Sequence, residues 1–402
     1  MFEGFPPQLI FNDEHKRLLQ EVVIDQHQPG TILADFATAL AIIKANPPVL
    51  TDKEQLPLST VTAINARLKH PIEIALKRSQ QKYYPHVHGL YLLVRASGLT
   101  YIETSGKKKR LMIDEGVYKQ WTGFNPTEQY GSLLEVWLLR GYEDIIGERA
   151  RFSGIADGLD EILRFILQYD LGTRLQVTGN RLLEDSLRYF LAKHNQGLLD
   201  LFGLMRIESG PPRPGKGWNI EHIALTDFGS ALLSLIYNDF FKTELRINLL
   251  FSQESAEFGG LHNILKPYWS AWKNNFTEPK TIKRKGAHIF KVSLRNIWRR
   301  IEIDGKVSLE GLAAAILNSV DFDSDHLYEF TYRNRIGTLA HIYHPYMDEA
   351  PDTSEILVGE VGLNVGQSMT FLFDFGGNYS GWFLWYKLIH RQYTNRQIKQ
   401  NS

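Results

Sequence analysis

The fold of the C-terminal part of the chain is decided by HIFKVSLRNIWRRIEI, residues 288–303. Two sets of side chains alternate in its first half, Ile289, Lys291, Ser293 and Arg295 against Phe290, Val292 and Leu294. A period of two predicts half-buried strands. A helical pattern follows at 308–319, and the segments HLYEFTYR and SMTFLFDFGGNYSGWFLWYKLI read as further strands. We therefore expect an α+β domain with a mainly antiparallel sheet.

Composition limits the class of protein. The chain has 402 residues, of which 43% are hydrophobic, and it contains no cysteine. This length predicts several domains with well-built cores. The lack of cysteine excludes disulfides, thiolate zinc sites and cysteine nucleophiles. The sequence shows neither a membrane-spanning apolar run nor a secretion signal, so we expect a cytoplasmic protein without membrane contact.

Charge is balanced overall but not locally. The chain has 45 basic and 45 acidic side chains. Residues 60–110 contain ten Lys or Arg residues and two acidic residues, an excess of eight positive charges. Such clustering predicts an anionic partner, DNA or RNA. The alternative is a solvated basic face balanced by acidic residues elsewhere in the chain.

Changes in pattern divide the chain into six segments. ANPPVL ends an N-terminal helical pattern because proline cannot continue a helix, and the polar, turn-rich TDKEQLPLS follows it. The predicted segments are a helical arm (1–55), a winged-helix-like module (56–150), a second such module (151–245), a linker (246–286), an α+β domain (287–392) and a tail (393–402).

The order of elements in 58–140 is helix, helix, β-hairpin, helix, which resembles a winged-helix module. The hairpin tip is GKKKR, and wing tips often meet phosphate. A weak repeat of this order ends in IALTDFGSALLSLI, after the turn PPRPGKG. We predict nucleic-acid contacts, largely to phosphate, from the hairpin tip and from basic helices around 67–82. The residues are Arg67, Lys69, Lys77, Arg78, Lys82, Lys107, Lys108, Lys109 and Arg110.

The segments IWRRIEI (297–303), SLEGLAAAI (308–316), DSDHLYEF (323–330) and FLFDFGG (371–377) occur in an order and spacing that resemble the Ri-plasmid ORF-three-like family. Its bacterial members carry the labels of insertion-element passenger or resolvase, without an established activity. The resemblance implies a link to mobile elements or defence. A serine recombinase needs a nucleophilic serine with clustered arginines, and the sequence shows no such arrangement.

The last family motif, Y-D-F-G-D-x-W-x-H, is altered here. Asp374 and Gly376 match it, while its second Asp, Trp and His are Gly377, Tyr379 and Gly381. A metal or acid–base site at this motif would be lost. The predicted partner- or ligand-binding residues of this domain are Arg299, Arg300, His326 and Asp374.

Other candidate chemistry is weaker. His86 and His88, and also His341 and His344, have metal-ligand spacing, but without a clear third ligand we expect them to pack or hydrogen-bond. The acids of DFDSDH (321–326) lack the glycine and glutamate of a calcium loop. We therefore predict a non-enzymatic protein without cofactor or metal that binds nucleic acid. The alternatives are a protein–protein scaffold and a hydrolase centred on Asp374, and the oligomeric state stays undetermined.

Overall fold

A computed structural model describes residues 10–105, 108–148, 163, 166, 169–237, 259–277, 283–294, 297–363, 367–373 and, for the backbone only, 384–392. The chain forms two compact units. The N-terminal unit comprises Met1–Tyr101 and Leu111–Glu278, and the C-terminal unit comprises Ile102–Arg110 and Pro279–Ser402. The helices and antiparallel sheets confirm the α+β class. No helix in the described ranges is long and apolar enough to cross a membrane.

Short helices build most of the N-terminal unit. They are α1 Asp13–Glu21, α2 Ile32–Ala45, α3 Leu58–Asn65, α4 Pro85–Ala96, α5 Glu115–Thr122, α6 Pro126–Arg140, α7 Arg181–Asp185, α8 Lys193–Leu201, α9 Asp227–Leu235 and α10 Gly260–Leu265. Their starts follow local chemistry. At α6 the Asn125 side chain accepts the Glu128 amide while the Glu128 carboxylate accepts the Asn125 amide, a capping box ahead of Pro126.

Two small sheets accompany these helices. Strands β1 Thr100–Ser105 and β2 Lys108–Ile113 pair as the expected hairpin. Strands β3 Leu175–Gln176, β4 Met205–Ser209 and β5 Ile220–Leu225 form an antiparallel sheet in the order β3-β5-β4. Gly98 and Gly203 have positive φ angles of 77° and 71°, one after α4 and the other after α8. Each glycine ends its helix and leads the chain into the next strand, so α4–β1 and α8–β4 have the same type of junction.

Two sequence-based expectations are wrong. The helical pattern of residues 182–194 predicts a helix there, but α7 ends at Asp185 and is followed by a π-helical turn, Ser186–Phe190. The chain is extended at Leu191, and the side-chain amide of Gln196 donates to the carbonyls of Leu187 and Leu191, which fixes this break. The basic helices expected around 67–82 are also absent, because 66–80 forms a loop after α3.

Part of the predicted linker is docked on α6. The buried Glu135 carboxylate accepts the backbone amides of Gly259 and Leu261, both at 2.9 Å. The Glu128 carboxylate accepts the Asn274 amide at 2.9 Å. Between these acids, Gly131 leaves room for the buried Trp272 ring, which a Cβ would approach to 2.6 Å. Residues 259–277 are therefore an integral part of the N-terminal unit.

The C-terminal unit contains a six-stranded antiparallel sheet in the order β7-β6-β11-β10-β8-β9. The strands are β6 Ala287–Leu294, β7 Ile297–Asp304, β8 Tyr328–Arg333, β9 Leu339–Tyr343, β10 Ser368–Phe373 and β11 Leu384–Gln392. Helix α11, Leu309–Asn318, buries Leu312 and Ile316 in the same core as Phe290 and Val292. Lys291 is exposed between the buried Phe290 and Val292, as the alternation predicts. Ile289, on the same side of the strand as Lys291, is buried and does not follow the alternation.

Candidate anion-binding surface

Helices α4 and α8 pack so closely that their main chains are almost in contact. Each contributes one glycine to the crossing: a Cβ at Gly89 would lie 2.6 Å from Leu198 Cγ, and one at Gly197 would lie 2.4 Å from the carbonyl carbon of Pro85. All twelve residues of α4 are buried, as are seven of the nine in α8. The helices that precede the two hairpins are therefore buried, in part against each other.

Polar side chains fill one end of this contact. His86 Nε2 lies 2.8 Å from Asp200 Oδ2, and His88 Nε2 lies 3.5 Å from Glu148 Oε1. Burial and the nearby His88 lower the pKa of His194 to about 3, which keeps this buried ring neutral. Within the described ranges no group of three or more His, Asp or Glu side chains could hold a metal ion. His86 and His88 are buried, and each has a hydrogen-bonding partner, Asp200 for His86 and Gln81 for His88.

The basic loop 66–80 meets the turn of the second hairpin. The Asn65 side chain exchanges two hydrogen bonds with the Ile72 backbone and so holds the first part of the loop. Further on, the Gly215 amide donates a 2.9 Å hydrogen bond to the Ala75 carbonyl. This bond brings the exposed Lys77 and Arg78 to the turn that carries two more exposed cations, Arg213 and Lys216.

Tyr83 joins these segments to the start of α8. The ammonium groups of Lys82 and Lys193 lie 5.7 Å and 5.5 Å from the centre of its ring. Gly217 passes so close that a Cβ there would lie 2.8 Å from Tyr83 Cδ1. One aromatic ring is therefore packed by two lysines and by the turn of the second hairpin.

We call this surface the basic rim. Six of its seven cations lie at these converging segments, namely Lys77, Arg78, Lys82, Lys193, Arg213 and Lys216, and the seventh, Arg188, lies on the π-helical turn that precedes α8. None of them forms an ion pair with a described carboxylate. Desolvation and the neighbouring cations Lys82 and Arg188 lower the pKa of Lys193, although Glu148 opposes them. A bound anion would relieve this crowding of positive charge.

The π-helical turn borders the basic rim. Its first residues, Ser186 and Leu187, are buried, while the next three, Arg188, Tyr189 and Phe190, are exposed. The Arg188 guanidinium carbon lies 5.5 Å from the centre of the Tyr189 ring. Exposed aromatic rings therefore stand beside the cations of the basic rim.

The predicted basic residues are divided between the two units. Arg67 and Lys69 are exposed at the start of loop 66–80, whereas Lys77, Arg78 and Lys82 are part of the basic rim. In the hairpin, Lys108 and Arg110 are exposed, Lys109 is half-buried, and Lys107 lies outside the described residues. The tip belongs to the C-terminal unit. Arg95, counted in the basic window, is buried with Tyr91 and Glu54.

Sequence reasoning missed Arg188, Lys193, Arg213 and Lys216 as candidate residues for an anion-binding surface. The run PPRPGKG was read only as a turn, yet its two cations without an acidic neighbour were a usable signal. Lys193 and Arg188 carried no such signal, because only the approach of α8 to Tyr83 places them beside the loop.

The candidate residues of the C-terminal unit are spread over the sheet and its turns. Arg299 is exposed, and its Nε donates a 3.0 Å hydrogen bond to the Ser319 carbonyl at the end of α11. Arg300 is exposed on the same strand. The exposed His326 ring meets Phe373 edge-on at 5.6 Å. Asp374 lies outside the described residues, so the hydrolase centred on it stays a prediction.

The remaining histidine pair has separate partners. His341 Nδ1 lies 3.2 Å from Glu329 Oε2, while His344 Nδ1 accepts the Tyr346 amide. Residues 321–326 form the expected turn between α11 and β8, with φ of 56° at Asp321. Both observations agree with packing and turn roles for these residues.

Comparison with known proteins identifies the C-terminal part. Residues 288–396 match the family described as plasmid pRiA4b ORF-3-like protein, which confirms the resemblance for this part of the chain. A crystal structure of a protein of unknown function from Methanosarcina mazei Go1 is 21% identical, with a TM-score of 0.23. That match covers 26% of this chain and 59% of the other, less than two thirds of its length. No curated protein matches the chain.

Proposed function

We propose that the N-terminal unit binds nucleic acid through its phosphate groups, using the basic rim. The observation that carries this proposal is the convergence of six cations on segments joined by the Gly215–Ala75 hydrogen bond and by Tyr83, with Arg188 on the adjoining π-helical turn. Cations that form no ion pair with a described carboxylate are suited to phosphate, and contacts to phosphate supply most sequence-independent affinity.

The burial of α4 and α8 favours phosphate contact over base reading. In a winged-helix module the helix before the hairpin is the one that enters the major groove. The order α3, α4, β1, β2 and the order α7, α8, β4, β5 support two such modules, of which the first has most of its hairpin assigned to the C-terminal unit. Their candidate recognition helices are buried, in part against each other. The protein is therefore proposed to contact the phosphate backbone of the nucleic acid without reading its base sequence.

The test is fluorescence anisotropy of the full chain with a labelled duplex and a labelled single strand over a salt series. Wild type should bind at low salt, with the logarithm of affinity falling linearly with the logarithm of salt concentration. Lys77→Glu with Lys216→Glu should weaken binding about ten-fold or more and flatten the slope by roughly two phosphate contacts. The matched control is Lys119→Glu with Lys273→Glu, two exposed lysines outside the basic rim. Absence of wild-type binding at low salt would overturn the proposal.

The hairpin tip is proposed as a separate phosphate contact. Lys108 and Arg110 are exposed there. The variant Lys107→Glu, Lys108→Glu, Lys109→Glu should weaken binding and reduce the salt slope. An unchanged affinity and slope would remove the hairpin from the binding surface while leaving the basic rim.

A protein–protein scaffold is the second candidate, and the C-terminal unit carries the observation that favours it. At strand β7 the side chains of Ile297 and Trp298 are 55% and 58% exposed beside Arg299 and Arg300. We propose that this surface binds a partner, and we keep His326 and Asp374, the latter outside the described residues, as further candidate contacts. The plasmid description of the family supports a link to mobile elements or defence. A partner that co-purifies at high salt without nucleic acid, and is lost in Trp298→Ser, would favour the scaffold.

A further inference from the structure

Resting on the proposed function, we propose that the nucleic acid held by the basic rim is single-stranded, with a base stacked on Tyr189. A single strand offers unpaired bases next to its phosphates, whereas a duplex hides the faces of its bases. Surfaces that bind single strands combine a cationic track with exposed aromatic rings, because every base has a face that can stack. The basic rim and the π-helical turn together have both features.

The π-helical turn holds Tyr189 in an exposed position. Tyr189 is 53% exposed, and the neighbouring Phe190 is 44% exposed. Behind them, Ser186 and Leu187 are buried, and the Leu191 amide donates to the Ser186 carbonyl. This anchoring fixes the backbone under the aromatic rings, so a base that stacks there meets a ring already in place. π-helical turns are rare and occur frequently at functional sites.

Tyr189 is also placed next to the cations that would hold the phosphates. Arg188 lies over the Tyr189 ring, and the turn that carries both residues ends three residues before Lys193, which shares Tyr83 with Lys82. A chain of cations therefore begins at the aromatic ring and continues along the basic rim. A strand lying on this chain would bring one base to Tyr189 while its phosphates meet the lysines.

The other rings near the basic rim are engaged within the protein. Tyr83 is packed by two lysines and Gly217. The Trp218 indole donates to the Ser209 hydroxyl at 2.7 Å, and its ring meets His86 edge-on at 5.0 Å. These rings therefore serve to position cations and the turn, whereas Tyr189, although Arg188 lies over its ring, is 53% exposed and more open to a base than Phe190 at 44%.

The experiment compares three probes on the full chain: a labelled oligothymidylate of about twenty nucleotides, an abasic strand of equal length and a duplex of equal length. Wild type should bind the oligothymidylate more tightly than the abasic strand. Tyr189→Ala should weaken oligothymidylate binding about ten-fold, to the level of the abasic strand, and leave duplex affinity unchanged. Tyr189→Phe should bind as wild type does, because it keeps the ring. Tyr346→Ala removes an 86% exposed ring elsewhere and is the matched control.

Two results separate this inference from the proposed function. If the oligothymidylate, the abasic strand and the duplex bind alike and Tyr189→Ala changes none of them, the single-strand inference is overturned. The phosphate-binding function then still stands, provided that Lys77→Glu with Lys216→Glu weakens all three. If wild type binds none of the probes at low salt, both proposals are overturned.

Discussion

Gly197 lies against the main chain of Pro85, so close that a Cβ at Gly197 would be 2.4 Å from the Pro85 carbonyl carbon. The contact lies between α8 and α4, and main-chain atoms cannot turn aside as a side chain can. The absence of one side chain thus permits the crossing that covers both candidate recognition helices. Under the proposed function, this glycine favours contact with phosphate over entry of either helix into a groove.

Gly197→Ala should destabilise the N-terminal unit by about 1–3 kcal/mol, because a methyl group forced into a packed crossing shifts its neighbours. Urea unfolding followed by circular dichroism measures the loss. Gly123→Ala is the control, because this glycine has a φ of −85° and ordinary contact distances of 3.4 Å and longer. An equal midpoint for Gly197→Ala and wild type would show that α4 and α8 do not cross at this distance.

The features that could be predicted from the sequence are those that depend on residues close together in the chain. The alternation around Phe290 indicated a strand in an α+β domain, and the family motifs identified the same domain. Pattern could not show that the Gly215 amide meets the Ala75 carbonyl, because that bond joins residues far apart in the chain. For the same reason Arg95 was counted as a surface charge although it is buried. The candidate binding surface is therefore mostly a product of tertiary contacts.

Glu135→Ala should release the segment 259–277 from α6. The Glu135 carboxylate accepts the amides of Gly259, Leu261 and His262 and the Asn275 side chain, and its removal leaves buried donors without an acceptor. The expected cost is about 2–4 kcal/mol. Hydrogen exchange should show loss of protection concentrated in 259–277. The control is Glu115→Ala, which removes an exposed carboxylate paired with Lys44 and should leave this protection intact. Loss of protection in 259–277 in the control as well would show that Glu135 has no special role.

His194 should make the N-terminal unit less stable in acid. Burial lowers its pKa from 6.5 to about 3, so the unfolded chain takes up a proton there at a pH where the folded chain does not. Stability contributed by the neutral ring is complete above about pH 6.5 and falls as pH is lowered toward 3. The groups that act on it are His88 and Glu148. The urea midpoint should therefore drop between pH 7 and pH 5.

His194→Gln tests this origin of the pH dependence. The variant lowers stability at pH 7 through lost packing, but its midpoint should change less between pH 7 and pH 5 than the wild-type midpoint, because the titrating group is gone. The readout is the change in urea midpoint between pH 7 and pH 5, determined for each protein. A loss of packing alone would lower the midpoint at both pH values and leave this change unaltered. An equal pH dependence in both proteins would assign the effect to other groups.

Arg299→Ala should separate a structural role from a binding role at strand β7. The Arg299 guanidinium donates to the Ser319 carbonyl at the C-terminal end of α11, where a cation also meets the negative end of the helix dipole. Its removal should lower the stability of the C-terminal unit by up to about 1 kcal/mol. Trp298→Ala should cost less, since that ring is 58% exposed. Thermal unfolding measures both. A larger loss in Trp298→Ala than in Arg299→Ala would mean that the tryptophan serves the fold, and the exposed surface at β7 would no longer favour a scaffold.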